Sequence, residues 1–178
     1  MTQVFVQPSY GTPEARRCWS LTLDRPVPFD DAGRRALLDP DDLTRLARAH
    51  PGGVARFWGA TERHDRRMRT VGTGDVVLLT GRKLVLAVGE VGHAFRDPAF
   101  ARSLWNPAPG KCLWVNVYSL RSFRPAQIPY EAVWALPGFT TGDNFMGLRF
   151  LDERRGAAVL DLVEEHLPAR TPPPVDRP

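Results

Sequence analysis

The sequence predicts an α+β fold: a small mixed sheet, curled into a pseudobarrel, with helices at its periphery. Three observations carry that expectation. GDVVLLTGRKLVLAVGEV (74–91) reads as two apolar strands around a Gly81-Arg82-Lys83 turn, which is a hairpin signature. Its apolar run scarcely alternates, so both strands are expected to be buried on both faces. The strand-like stretches are joined by hairpins and long loops rather than by alternating helices, which argues against a doubly wound parallel sheet.

The elements follow in order. VFVQP (4–8) has strand chemistry and Pro8 ends it. PEARRCWSLTL (13–23) predicts a short helix opening at Pro13, a favoured first-turn position. DRPVPFDDAG (24–33) is turn-rich, and DPDDLTRLARAH (39–50) predicts a helix with an Asp cap and acidic first turn. Leu43, Leu46 and Ala47 share one face of it, and PGG (51–53) stops it. RDPAFARSLWNPAPGKC (96–112) reads as a loop with a helical turn, leading into a strand over LWVNVYSLRSF (113–123). IPYEAVWALPGF (128–139) predicts a short proline-flanked helix. NFMGLRFLDERRGAAVLDLVEEHL (144–167) predicts a short strand and a closing helix with Val159, Leu160 and Val163 as its apolar stripe. One domain over 1–168 is expected, with a proline-rich linker or tail at 169–178 that cannot fold alone.

Composition narrows the function. With 43% hydrophobic and 25% charged residues in 178, the chain has a real core. A net charge of +4 permits nucleic acid as a partner without requiring it. Cys18 and Cys112 lie far apart, and His50, His64, His93 and His166 are scattered, so no metal site and no cofactor are expected. No signal peptide or membrane span is read from the sequence, which makes a cytoplasmic protein without a membrane partner the expectation. The GxSxG, GxxxxGK[ST] and GxGxxG patterns do not occur. Adjacent carboxylates such as Asp30-Asp31, Asp41-Asp42 and Glu164-Glu165 read as solvated charge or helix starts rather than a catalytic dyad. A binding module is therefore expected, with a small-molecule or nucleotide enzyme as the alternative.

What stands out is aromatic: five tryptophans and nine phenylalanines. Trp114 and Trp134 lie among apolar neighbours and read as core. Trp58 and Trp105 each stand at the edge of a polar, turn-rich loop, WGATERHD and WNPAPGK. Such rings can present a face to a flat heterocycle, with stacking contributing roughly 1–3 kcal/mol per base. Arg63, Arg66, Arg67 and Arg69, with Lys83 at the hairpin tip and Lys111 near Trp105, are candidates for phosphate contacts.

The order of these stretches resembles the YTH domains and their bacterial EVE relatives in the PUA superfamily. VFVQPSYGTPEARR is similar to the opening YTH strand, with Tyr10 and Glu14 at the matching positions. FWGATERHDRRM resembles the stretch carrying a cage tryptophan, here Trp58 followed by Gly59. SLWNPAPGKCLWVNVYSL is similar to the later aromatic wall at Trp105, and Phe100 falls on the middle wall, where a tryptophan is usual. GDNFMGLRFLDE resembles the segment near the base edge, with Asn144 and Asp152 matching. The correspondence covers most of residues 3–165, and the helical stretch at about 24–53 looks like an insertion.

The arrangement looks closest to the N-terminal reader modules of actinobacterial McrA-type, modification-dependent HNH endonucleases. The resemblance implies a PUA-like pseudobarrel that binds modified double-stranded DNA. N6-methyladenine is the favoured modification and 5-methylcytosine the next. The base would be flipped between Trp58, Phe100 and Trp105. Tyr10, Glu14, Asn144, Asp152 and the Gly59 carbonyl would complete the pocket. A nuclease domain beyond residue 178 is the implied partner, and modified RNA is the alternative ligand.

Overall fold

The computed structural model describes residues 2–167, so the proline-rich stretch expected at 169–178 lies outside the described residues. Seven strands are formed: β1 (Val4–Pro8), β2 (Val27–Pro28), β3 (Val54–Ala60), β4 (Val76–Gly81), β5 (Leu84–Arg96), β6 (Asn116–Pro129) and β7 (Arg149–Phe150). Helices α1 (Pro13–Thr22), α2 (Ala32–Arg35), α3 (Pro40–Ala49), α4 (Asp65–Met68), α5 (Pro98–Trp105), α6 (Tyr130–Trp134) and α7 (Glu153–His166) connect and flank them. A 3-10 turn at Glu62–His64 precedes α4. The fold is α+β, as expected.

One mixed sheet runs β2-β3-β6-β5-β4-β1-β7. Only β1 and β4 pair in parallel; every other neighbour is antiparallel. β1 and β3 are separated by three strands in that order, yet the Gln7 side-chain amide donates to the Gly59 carbonyl at 2.6 Å. Tyr118 of β6 in turn donates its hydroxyl to Gln7 Oε1 at 2.6 Å. Only a sheet curled on itself brings these strands together. The pairing stays open, with β2 and β7 as edges, and the curl comes from register shifts between β5 and β6, where bulges bend both strands.

Both faces of the sheet are covered. Along β1, Phe5 points into the barrel core with Val77 and Leu79. Val4 and Val6 point the other way, into a layer with Val133 of α6 and Val159, Leu162 and Val163 of α7. That two-sided burial explains why the hairpin sequence fails to alternate. Its turn residues Arg82 and Lys83 both take positive φ, 55° and 59°, as a two-residue type I′ connection requires.

Three helices open on the same device. A Thr or Asp caps the helix with its side chain and a proline follows: Thr12-Pro13, Asp39-Pro40 and Asp97-Pro98. The third makes α5 a true eight-residue helix where only a helical turn is expected. The turn-rich stretch at 24–33 also holds more order than expected, because Val27–Pro28 pairs with the start of β3. Phe29 and Leu46 are fully buried in the barrel core, so residues 24–53 share that core.

His50, just after α3, is buried and its Nε2 lies 2.8 Å from Ser119 Oγ. Burial holds its pKa below the ordinary 6.5. Below that pH the unfolded chain binds a proton that the folded chain resists, so stability falls as pH drops through 6.5. Thermal melts followed by circular dichroism should show that fall, and His50→Gln should flatten it.

Candidate functional site

Along β3, Phe57 and Gly59 project to one face and Trp58 and Ala60 to the other. Trp58 stands beside Tyr118 in the register with β6, over the barrel's mouth. There a cavity of about 220 Å³ is lined by Gln7 and Pro8 from β1, Trp58 to Thr61, His64, Trp114, and Met146 to Leu148. Trp58 is buried and forms its floor, while Trp114, half-buried just before β6, forms a wall. Their ring centroids lie 4.7 Å apart at 55°. The Trp58 Nε1 donor is buried without a partner among the described residues. Such an orphan costs about 1–3 kcal/mol.

A second cavity of about 310 Å³ adjoins the first, sharing His64 and Leu148. Arg67, Arg149 and Arg155 line it together with Phe139, Phe145 and Phe150. The Arg149 guanidinium is paired with Asp143 and that of Arg155 with Asp152. Arg67 instead lies over the Phe150 ring, 5.6 Å from its centroid, and pairs with no carboxylate among the described residues. A larger cleft of about 600 Å³ lies between α3 and β5. Its lining includes no Trp, Tyr or Phe, and its His93 and Arg121 are paired with Asp42 and Glu90. Chemistry therefore favours the smaller, tryptophan-walled cavity.

The three-ring cage expected from Trp58, Phe100 and Trp105 is not formed. Phe100 is fully buried against Phe57, on the opposite face of β3 from Trp58. Trp105 is 2% exposed and locked by its Nε1, which donates to Thr22 Oγ1 at 3.1 Å. Its ring meets Trp58 edge-on at 6.5 Å and 81°, leaving no slot between them. Trp114, read from the sequence as core, takes the place expected of Trp105. Trp134 is half-buried and donates its Nε1 to the Asp143 carbonyl at 2.9 Å.

Of the expected edge-reading groups, only Gly59 lines the cavity. Tyr10 packs on Trp19 at 5.4 Å, beneath the Arg82 guanidinium. Glu14 is paired with Arg17 at 2.6 Å, and that hydrogen bond holds its carboxyl below the usual range. Asp152 caps α7, accepting the Arg155 backbone N–H at 2.9 Å, which lowers its pKa too. Asn144 is exposed in the loop before β7 and lines neither cavity. Both acids are spoken for by an arginine three residues on, an i,i+3 spacing visible in the sequence.

Arg63, Arg66, Arg67 and Arg69 are exposed on the 3-10 turn, on α4 and at its C-cap, and no ion pair among the described residues uses them. In the chain they flank the cavity residue His64 and lie within eight residues of Thr61. Asp65 in their midst is tied to Asn116 and Arg96, which lower its pKa. Lys83 and Lys111 are exposed elsewhere, on the hairpin turn and the loop after α5. Burial pushes the Cys18 thiol up to about 11, which keeps it from acting as a thiolate at neutral pH. No group of three metal-ligating side chains occurs among the described residues, and no helix there is long and apolar enough to cross a membrane.

With this geometry in place, one solved structure is informative. The chain is similar to the N-terminal domain of Thermococcus gammatolerans McrB bound to m5C DNA. The TM-score is 0.64 at 16% identity, over 93% of this chain and 99% of that one. That likeness shows the fold: an α+β mixed sheet with peripheral helices. No family model and no curated protein matches the chain.

Among the cavity residues that sequence reasoning did not reach are Gln7, His64, Trp114 and Met146. Gln7 carried a usable signal: a lone amide within an apolar strand needs buried partners.

Proposed function

We propose that this chain is a binding module for DNA carrying a methylated base, and that the base leaves the duplex and enters the cavity that Trp58 and Trp114 line together. The observation that carries this reading is the cavity itself. At about 220 Å³ it is smaller than the roughly 300–1,000 Å³ of pockets that take drug-sized ligands, which suits one flat ring. Extrusion costs a few kcal/mol, and stacking returns roughly 1–3 kcal/mol. A methyl group adds about 0.8 kcal/mol by burial, enough for about a fourfold preference on its own.

Methylated cytosine is the favoured ligand. The N6-methyladenine expectation leaned on Glu14 and Asp152 as edge readers, and both are paired with arginines. A cytosine ring is the smaller of the two and suits the smaller cavity, and the structural neighbour was solved on m5C DNA. Arg63, Arg66, Arg67 and Arg69 would contact phosphates beside the cavity, setting affinity and register rather than base choice. The proposed place of the module is the targeting unit of a modification-dependent restriction system, with the nuclease supplied by another part of the parent protein.

Fluorescence polarisation on matched duplexes carrying 5-methylcytosine, N6-methyladenine or no modification tests this. The methylcytosine duplex should bind tightest, with affinity falling steeply as salt rises. Trp114→Ala should erase the preference while leaving the salt-dependent background. Equal binding to all duplexes, or tighter binding to the matching RNA, would overturn the reading, and turnover of a nucleotide would favour an enzyme.

A further inference from the structure

Met146 is 74% exposed, while the other exposed large apolar side chains, Leu21, Leu37 and Val54, reach 37%, 41% and 43%. It stands on the rim of the cavity that Trp58 and Trp114 line. The loop that carries it is fixed rather than loose. Phe145 is buried edge-on against Tyr130 at 4.8 Å, and its backbone N–H donates to Asp143 Oδ1 at 2.9 Å. Arg149, paired with Asp143, donates its Nε to the Met146 carbonyl at 3.3 Å. On either side of Met146 the backbone is left-handed, with φ of 48° at Phe145 and 77° at Gly147. Left-handed backbone at a phenylalanine is uncommon and persists only where its surroundings enforce it. Here the enforced shape buries Phe145 and holds the Met146 side chain in solvent.

A base that leaves a duplex opens a gap between its stacked neighbours, and proteins that distort DNA insert apolar side chains between base steps. Methionine suits such a gap, being unbranched, polarizable and adaptable in shape. We propose that Met146 is a wedge that enters the duplex stack as the methylated base enters the cavity. The inference rests on the base-flipping reading above. It adds that the module is built for duplex DNA, since a single strand has no stacked pair to hold open.

The test compares three probes by fluorescence polarisation: a duplex with one 5-methylcytosine opposite guanine, the same methylated strand alone, and a duplex with the 5-methylcytosine opposite an abasic site. Met146→Ala should weaken binding to the fully paired duplex by about tenfold and leave the single strand unchanged. The abasic duplex, already unpaired, should lose less than the paired one. Met146→Leu, still apolar, should retain most of the duplex affinity. Unchanged duplex binding by Met146→Ala, or an equal loss on the single strand, would overturn the wedge while the wild-type preference for methylated probes stands. Absence of that preference in the wild type would overturn the reading beneath it, and the wedge with it.

Discussion

Gly59→Ala is expected to lower folding stability and preference for a methylated base together. A Cβ at this position would sit 2.7 Å from the Asn116 carbonyl oxygen, 2.9 Å from Trp105 Cη2 and 3.2 Å from Trp114 Cβ. The Asn116 oxygen is backbone at the start of β6, opposite Ala60 in the ladder, so it cannot retreat without parting β3 from β6. The Trp105 ring is held by its bond to Thr22. Trp114 is the freest neighbour, being half-buried and outside the strand, and it is also the cavity wall. Overpacking of this kind costs up to about 3 kcal/mol, which lowers Tm by roughly 6–12 °C in a chain of this size. Gly11→Ala is the control, because a Cβ there meets nothing within 4 Å. Thermal melts and duplex titrations on both variants check the expectation. An unchanged melt for Gly59→Ala would mean that the aromatic wall does not press on β3 as closely as these distances require.

The same residue shows why the fold was more legible than the site. Local rules sufficed for α1, α3 and the β4–β5 hairpin: a capping side chain, a proline in the first turn, a two-residue connection between apolar runs. Where two rules competed, the outcome was hidden. β5 and β6 run to Arg96 and Pro129, well past the stretches that look like strands, because bulges absorb the residues that break their pattern. Asp97-Pro98 carries the same helix-start signal as Asp39-Pro40, but the prolines and glycine that follow Trp105 masked it.

At the site, local chemistry points the wrong way: Trp114 sits among apolar neighbours and Trp105 beside a polar loop, yet Trp105 is the indole sealed inside. The answer depends on Thr22, 83 residues from Trp105, which accepts that indole's N–H, and on the missing side chain at Gly59 that lets the ring approach. Base-reading roles for Glu14 and Asp152 failed for the opposite reason. Each has a nearer use, an arginine three residues on, and that use was readable.

Gln7→Leu is expected to be the most destabilising single change at the mouth of the barrel. Gln7 is the polar bridge between β1 and β3, which the sheet order holds three strands apart. Leucine is close in volume but supplies neither half of that bridge. The Gly59 carbonyl would lose its 2.6 Å donor and the Tyr118 hydroxyl its 2.6 Å acceptor. Tyr118 is fully buried and burial pushes its pKa well above 10, so the hydroxyl stays protonated and in need of an acceptor. Two stranded buried groups at about 1–3 kcal/mol each give a loss near 4 kcal/mol, or roughly 8–16 °C in Tm. Adding Tyr118→Phe removes one of the stranded groups, so the double variant should melt above Gln7→Leu alone although it carries one more substitution. That inversion is the signature of a shared bond and would appear as a coupling energy in a double-mutant cycle. Simple additivity would mean that apolar packing alone holds the curl, and Gln7 would then be a passenger in the seam. The cavity depends on the outcome, because Gln7 and Gly59 both line it, and parting β1 from β3 would separate two of its walls.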